Sequence, residues 1–208
     1  QDLNGRYEVA VRGGRVAAVE KEILAPSKEI VELEGKILTP GWIDIHAHVY
    51  PGATTWGYHA DAHCLSTGVT TIVDAGSAGW ANFRGLLDYV MAPSRTQILA
   101  FVHVSGIGLT YGPLGELLDL RYADPERTAM VIRNWPDRCV GVKIRAGAPQ
   151  LGEHGVKAIR LALRAAELSG TPLMAHMGQE FPLPDVLNEL RAGDIATHCF
   201  HQKGDTIL

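Results

Sequence analysis

Pro40-Gly41-Trp42-Ile43-Asp44-Ile45-His46-Ala47-His48 is the stretch on which the reading of the fold turns. A short apolar run follows Pro40-Gly41 and ends in two histidines two positions apart. On a strand, side chains at that spacing point to one face. Both imidazoles can then reach a single metal ion at about 2.0–2.1 Å. Asp44 shares their parity, either as a carboxylate that orients a histidine or as a buried, hydrogen-bonded group. Taken alone, His-x-His is a weak signal, and two ordinary polar residues at a strand end are the commoner reading.

The rhythm after residue 48 repeats that of the opening run. Short β-type runs begin near Val69, Ile98, Val140, Leu173 and Ile195. Helix-like stretches lie between them at 81–91, 125–134, 153–169 and 183–191. Asp124-Pro125 is a capping pair for the second of these, and Gly170 and Gly193 close the last two. Six buried strands alternating with helices imply an α/β fold with a parallel sheet and right-handed crossovers. The sheet is either open and doubly wound or closed as a β/α barrel. Gly-x-Gly-x-x-Gly is absent from the first strand–helix turn, so a dinucleotide site has no support. Residues 1–39 read differently. Tyr7, Val9 and Val11 alternate up to a Gly13-Gly14 turn, and the chain returns over 15–20 as a hairpin. Residues 30–33 and 37–38 flank a Glu-Gly-Lys turn in the same style, which makes a small antiparallel patch.

Three later runs each add one chemical group. Val140-Gly141-Val142-Lys143-Ile144 buries a lysine in an apolar strand, which is costly unless the amine is paired, neutral or snorkelling. Pro172-Leu173-Met174-Ala175-His176 and Asp194-Ile195-Ala196-Thr197-His198 each end in a histidine. Four histidines and a lysine at strand C-termini of a β/α chain are hard to read as unrelated core residues, because parallel-sheet enzymes place their sites there.

These residues, in this order, resemble the amidohydrolase superfamily, over nearly the whole chain. The stretches 73–79, 119–124, 141–145 and 197–200 are similar to its dihydroorotase-like amidohydrolase/deacetylase group. The resemblance implies a (β/α)8 TIM barrel over 40–208, with about six of its eight strands present, and part of a flanking β-sandwich over 1–39. It implies two divalent metal ions, zinc by default, with His46 and His48 on the more buried ion and His176 and His198 on the other. Lys143 then reacts with CO2 to become a carbamate that bridges them. The implied reaction is attack of a metal-bridging hydroxide on an amide (N-acyl, N-acetyl) or ester carbonyl of a small molecule. A cyclic-amide hydrolase of dihydroorotase, hydantoinase or allantoinase type is the alternative on the same barrel, and a non-catalytic scaffold is the alternative of another class. The family's general acid/base is an Asp ending the eighth strand, and no residue here matches it. Asp74 is the nearest carboxylate of comparable position, with a turn or helix cap as its simpler reading.

Secondary candidates surround this set. Arg145 faces the same way as Lys143 and is a substrate-carboxylate clamp or a strand-end ion pair. His103 is a substrate contact or a core histidine. His59 and His63 lie on one face of a short helix, read as solvated or packed. Cys199 has the opposite parity to the site and faces outward. His201 flanks His198, and His154 belongs to the surface.

Composition bounds the rest. Nineteen Lys+Arg against 23 Asp+Glu are scattered without a basic stripe, so neither nucleic acid nor an acidic membrane surface is expected as a partner. Three distant cysteines argue for a reducing compartment, the cytoplasm, and a homo-oligomer is the expected assembly. The chain starts Gln-Asp-Leu-Asn-Gly without a Met, as a sequence cut upstream would. A β/α barrel takes about 250 residues, so the 208 here read as a truncation, expected to be neither well folded nor active alone.

Overall fold

The computed structural model describes residues 4–178 and 180–200. The chain divides into two compact units, Gln1–Thr39 and Pro40–Leu208. In the first, β1 (Glu8–Arg12) and β2 (Arg15–Glu20) form an antiparallel hairpin. Its two-residue turn places Gly13 at φ 59° and Gly14 at φ 73°, the pair of positive φ angles that matches strand twist. The second strand pair expected from 30–33 and 37–38 does not form. A single turn bond links the Lys36 N–H to the Leu33 carbonyl. The run at 37–38 meets Pro40 within two residues, and proline has no N–H to give a ladder.

The second unit alternates strand and helix: β3 (Trp42–Ala47), α1 (Ala60–Cys64), β4 (Val69–Gly79), α2 (Phe83–Leu86), β5 (Gln97–His103), α3 (Pro125–Asn134), β6 (Cys139–Ala146), α4 (Ala148–Leu151), α5 (Val156–Ser169), β7 (Leu173–Met177), α6 (Leu183–Leu187) and β8 (Ile195–Thr197). Every pairing from β3 to β8 is parallel, and the spatial order is the sequence order. A doubly wound sheet reverses its order at a switch point. Uninterrupted order is the winding of a barrel, so the sheet curls as six strands of one.

Parity sorts the side chains into two layers. Ile98, Ala100, Val102, Val142, Ile144, Leu173 and Ala175 face the helices and join Ile159, Leu163 and Ala166 of α5 in the main core. Val73, Ala75, Phe101 and Met174 pack together on the concave side. One step further along the same parity come Ser77, His103, Lys143 and His176. The apolar cluster is therefore the floor of the candidate site.

The helices depart from expectation where glycine or tight turns intervene. The stretch at 153–169 is helical only from Val156, because Gly155 at φ 47° ends a preceding 3-10 turn. The stretch at 81–91 is four α-residues followed by a π-turn over Leu87–Met91. That at 183–191 stops at Leu187, where the bonds tighten to the third residue back. α3 has the expected bounds, and the Asp124 carboxylate accepts the Arg127 N–H at 2.9 Å. Asp124→Ala is expected to cost about 1 kcal/mol. Thermal unfolding would show it as a fall in Tm of about 2–4 °C. Among the described residues no helix is long and apolar enough to cross a membrane.

Candidate metal centre

Four imidazoles and one amine meet at the C-terminal end of the parallel strands. The rings of His46 and His48 have centroids 5.7 Å apart at 80°. His198 lies 4.6 Å from His46 and 4.6 Å from His176. Lys143 Nζ is 3.5 Å from His46 Nε2. The register explains part of this, since Lys143 stands beside His103 and Met174, and Arg145 beside His176. His198 comes by another route. It follows Thr197, so strand parity would send it outward, but its φ of 67° is left-handed and turns the backbone at the end of β8.

The lysine seat is built by a glycine. Gly76 has φ 85°, and a Cβ there would fall 2.5 Å from Lys143 Cγ. Lys143 is 0% exposed. Burial, helped by the Arg145 charge, lowers its amine to about 7, against the opposing pull of Asp74 and Glu116. A fraction of it is therefore neutral and nucleophilic near neutral pH. The histidines are lowered as well. Burial and then Lys143 hold His46 to about 3, His48 to about 4 and His176 to about 3. All three are neutral at pH 7, the state in which imidazole binds a metal.

Among the described residues no three His, Cys, Asp or Glu side chains form a group placed to hold one ion. The donor set is instead two histidine pairs with a buried lysine that acts electrostatically on both. That set fits two divalent ions only if the lysine supplies an oxygen donor, because an ammonium cannot ligate. Its depressed pKa is what such a conversion requires. A cavity of about 420 Å³ opens beside His176 and His198, bordered by Pro149 and Gln150 after β6, by Met177 at the end of β7 and by Gly178 just beyond it.

The remaining candidates separate from this cluster. His103 is 0% exposed, accepts the Ser105 N–H on Nδ1 at 3.0 Å, and contacts Glu116 through Nε2 at 3.0 Å. Arg145 is 5% exposed and grips Glu116 with two bonds, Nε to Oε1 at 2.9 Å and an Nη to Oε2 at 2.5 Å. Desolvation alone would raise the Glu116 carboxyl, but the Arg145 and His103 bonds win and hold it at about 2. Asp74 has helix-side parity, is 0% exposed, and accepts the Val49 and Ser77 N–H groups at 2.8 and 2.7 Å. It is a turn cap, and burial raises it to about 6 despite those bonds. Asp44 meets the backbone N–H of His46 at 2.9 Å rather than an imidazole. His59 and His63 are exposed, with His63 edge-on to Tyr58 at 5.0 Å. His154 bonds the Leu118 carbonyl at 3.1 Å. Cys199 is buried in the helix-side core, and His201 lies outside the described residues.

Four contributors were not singled out as candidates from the sequence. Glu116 sits in an irregular loop, Thr197 and Ser77 read as ordinary strand polars, and Trp56 lies in a turn. Only Gly76-Ser77, where an apolar strand gives way to small residues, hinted at a close approach.

No family model matches the chain. It is 37% identical to a deacetylase of Agrobacterium fabrum over 94% of this chain and 49% of that protein. Among solved structures it resembles a dihydroorotase, with a TM-score of 0.85 and 34% identity over 95% of this chain and 54% of the other. It also resembles an adenine deaminase, with a TM-score of 0.89 and 30% identity over 97% and 55%. The chain thus spans about half the length of the relatives it matches. With its uninterrupted parallel winding, its strand-end histidines and these relatives, the chain belongs to the amidohydrolase superfamily, in its dihydroorotase-like deacetylase group.

Proposed function

We propose that the protein is a metal-dependent hydrolase that cleaves the amide bond of an N-acyl small molecule. The observation that carries this reading is the convergence of His46, His48, His176 and His198 on one completely buried lysine. His46 and His48 would hold one divalent ion and His176 and His198 a second, with Lys143 between them as a CO2-derived carbamate. Zinc suits a set of neutral imidazoles with a carboxylate-like bridge. Such ions, when bound, lower the pKa of water and polarise a carbonyl oxygen.

The chain's own residues prepare that chemistry. The neutral Lys143 amine attacks CO2, a carbon–nitrogen bond forms, and one proton leaves for solvent. The apolar floor of Val73, Ala75, Phe101 and Met174 keeps water from beneath the amine. The cavity beside His176 and His198 gives a small acyl compound room against those imidazoles. Three unpaired, buried cysteines support a reducing compartment such as the cytoplasm.

The test is metal analysis of the full-length protein purified without chelator, with assays on N-acetyl amino acids beside dihydroorotate and hydantoins. About two zinc ions per chain and turnover of the N-acetyl compounds are expected. Turnover of the cyclic amides alone would replace this reading with the dihydroorotase type. Less than one ion per chain would leave a scaffold.

A further inference from the structure

The loop after β3 holds one indole beside the candidate metal centre. The Tyr50 carbonyl accepts the Ala53 and Thr54 N–H groups, each at 3.2 Å, and the Thr54 carbonyl accepts the Gly57 N–H at 3.1 Å. The Tyr58 N–H then returns to the His48 carbonyl at 3.2 Å, so the loop closes on the strand end that it left. Gly57 crosses so near the Tyr50 carbonyl that a Cβ would not fit there. The backbone of residues 50–58 is thus fixed against the end of β3.

Trp56 stands in this loop, and three neighbours hold its ring. Its centroid lies 5.6 Å from that of His48. The Arg145 guanidinium is 5.3 Å from the ring, within cation–π range. On the loop after β5, Gly112 comes so close that a Cβ would run into the benzo edge of the indole. Even so, Trp56 remains 45% exposed. The covered part accounts for packing, and the open part gains the fold nothing.

The chemistry offered at that open face is apolar. The cation beside it, Arg145, is already paired with Glu116 through two nitrogens, so it is not free for a substrate carboxylate. Tyr111 and Leu114, on either side of Gly112 in the chain, are exposed as well. The cavity described above borders the other histidine pair, His176 and His198. The cluster therefore has open space beside one pair and an indole beside the other.

We infer that Trp56 is a specificity residue, whose open ring selects substrates with a flat, apolar side chain on the amine portion of the scissile amide. The inference rests on the proposed hydrolase and names its substrate class, N-acyl amino acids of the phenylalanine kind rather than the glycine or aspartate kind. An acetyl group is the same in all of these, so the amine portion is what a side-chain contact can discriminate. Trp56 meets that side chain and none of the reacting atoms.

The test compares kcat/KM of the full-length, zinc-loaded protein on the N-acetyl derivatives of glycine, phenylalanine and aspartate. Wild type is expected to prefer the phenylalanine compound to the glycine compound by at least about 10-fold, the lower range for filling an apolar pocket. Trp56→Ala is expected to shrink that ratio by about 5-fold or more, through KM rather than kcat, the scale of one lost aromatic contact. Trp56→Phe is expected to keep most of the preference. The ratio does not depend on how much of a variant folds, so it separates contact with the substrate from support of the loop. A wild-type ratio near one, a preference for the aspartate compound, or a ratio unchanged in Trp56→Ala overturns the inference. If wild type turns over none of the three, the hydrolase reading fails and the same compounds serve as ligands. A Trp56-dependent preference in their Kd values then keeps the subsite, and no preference overturns it as well.

Discussion

Lys143→Ala in the full-length protein is expected to drop metal content from about two ions per chain to about one, and to lower kcat/KM by more than about 100-fold, the upper range for losing a ligand's supporting neighbour. No other side chain in the cluster supplies its amine. It is completely buried, and it occupies a groove that exists because residue 76 has no side chain. Its amine, at about 7, is shifted chiefly by burial. Lys143→Met is the companion variant, since an unbranched apolar chain refills the seat without the amine. In the metal-free protein that variant should be at least as stable as wild type, because the buried amine is a cost. The sign with pH follows from linkage. Between about 7 and 10.5 the unfolded chain holds a proton on Lys143 that the folded chain has released. Wild-type stability should therefore rise with pH through that window, by a few kcal/mol, and the Met variant should lose that rise. Metal analysis, steady-state rates and denaturant melts read the three consequences. A variant with both full metal content and full rate would remove Lys143 from the centre.

The part of this site that was legible in the sequence is the part governed by strand period. His46, His48, Lys143 and His176 share a face because side chains alternate along a strand, and each lies within or at the end of a recognisable apolar run. The sequential parallel winding was legible for a related reason, since six buried runs separated by helices admit two closures and the histidine-bearing ends favour one. Period could not show what lies across the barrel. Thr197 meets His46 across 151 residues and Ser77 meets His48 across 29. His198 reaches the cluster only because its backbone leaves the strand conformation. Glu116 sits in a loop whose path is set by tertiary bonds, so nothing local announces that an acid there will be buried. That one residue changes the meaning of Arg145 and His103. On parity they are exposed to a substrate, but in the fold both are committed to Glu116.

Arg145→Met is expected to destabilise the protein by about 3–5 kcal/mol, because it strands the Glu116 carboxylate in a buried site. In a chain of this size that is a fall in Tm of roughly 10 °C. Arg145 meets Glu116 through two nitrogens, gives further bonds to the Gly112 and Leu114 carbonyls at 3.1 and 3.4 Å, and lies 5.3 Å above the Trp56 ring. One guanidinium thus ties the loop after β5 to the end of β6, beside Lys143. The double variant Arg145→Met/Glu116→Gln should recover much of the loss, because it leaves no buried charge unpaired. That non-additivity separates an ion pair from simple packing. Acid titration gives an independent check. The Glu116 carboxyl falls from 4.5 to about 2 on folding. Its contribution is therefore present above about pH 4.5 and is lost as pH falls toward 2. Glu116→Gln should flatten that acid limb. If Arg145 were instead held ready for a substrate carboxylate, Arg145→Met would raise KM and leave Tm and the acid limb where they were. The two roles thus make opposite predictions for one variant, and the buried Glu116 favours the loss of stability.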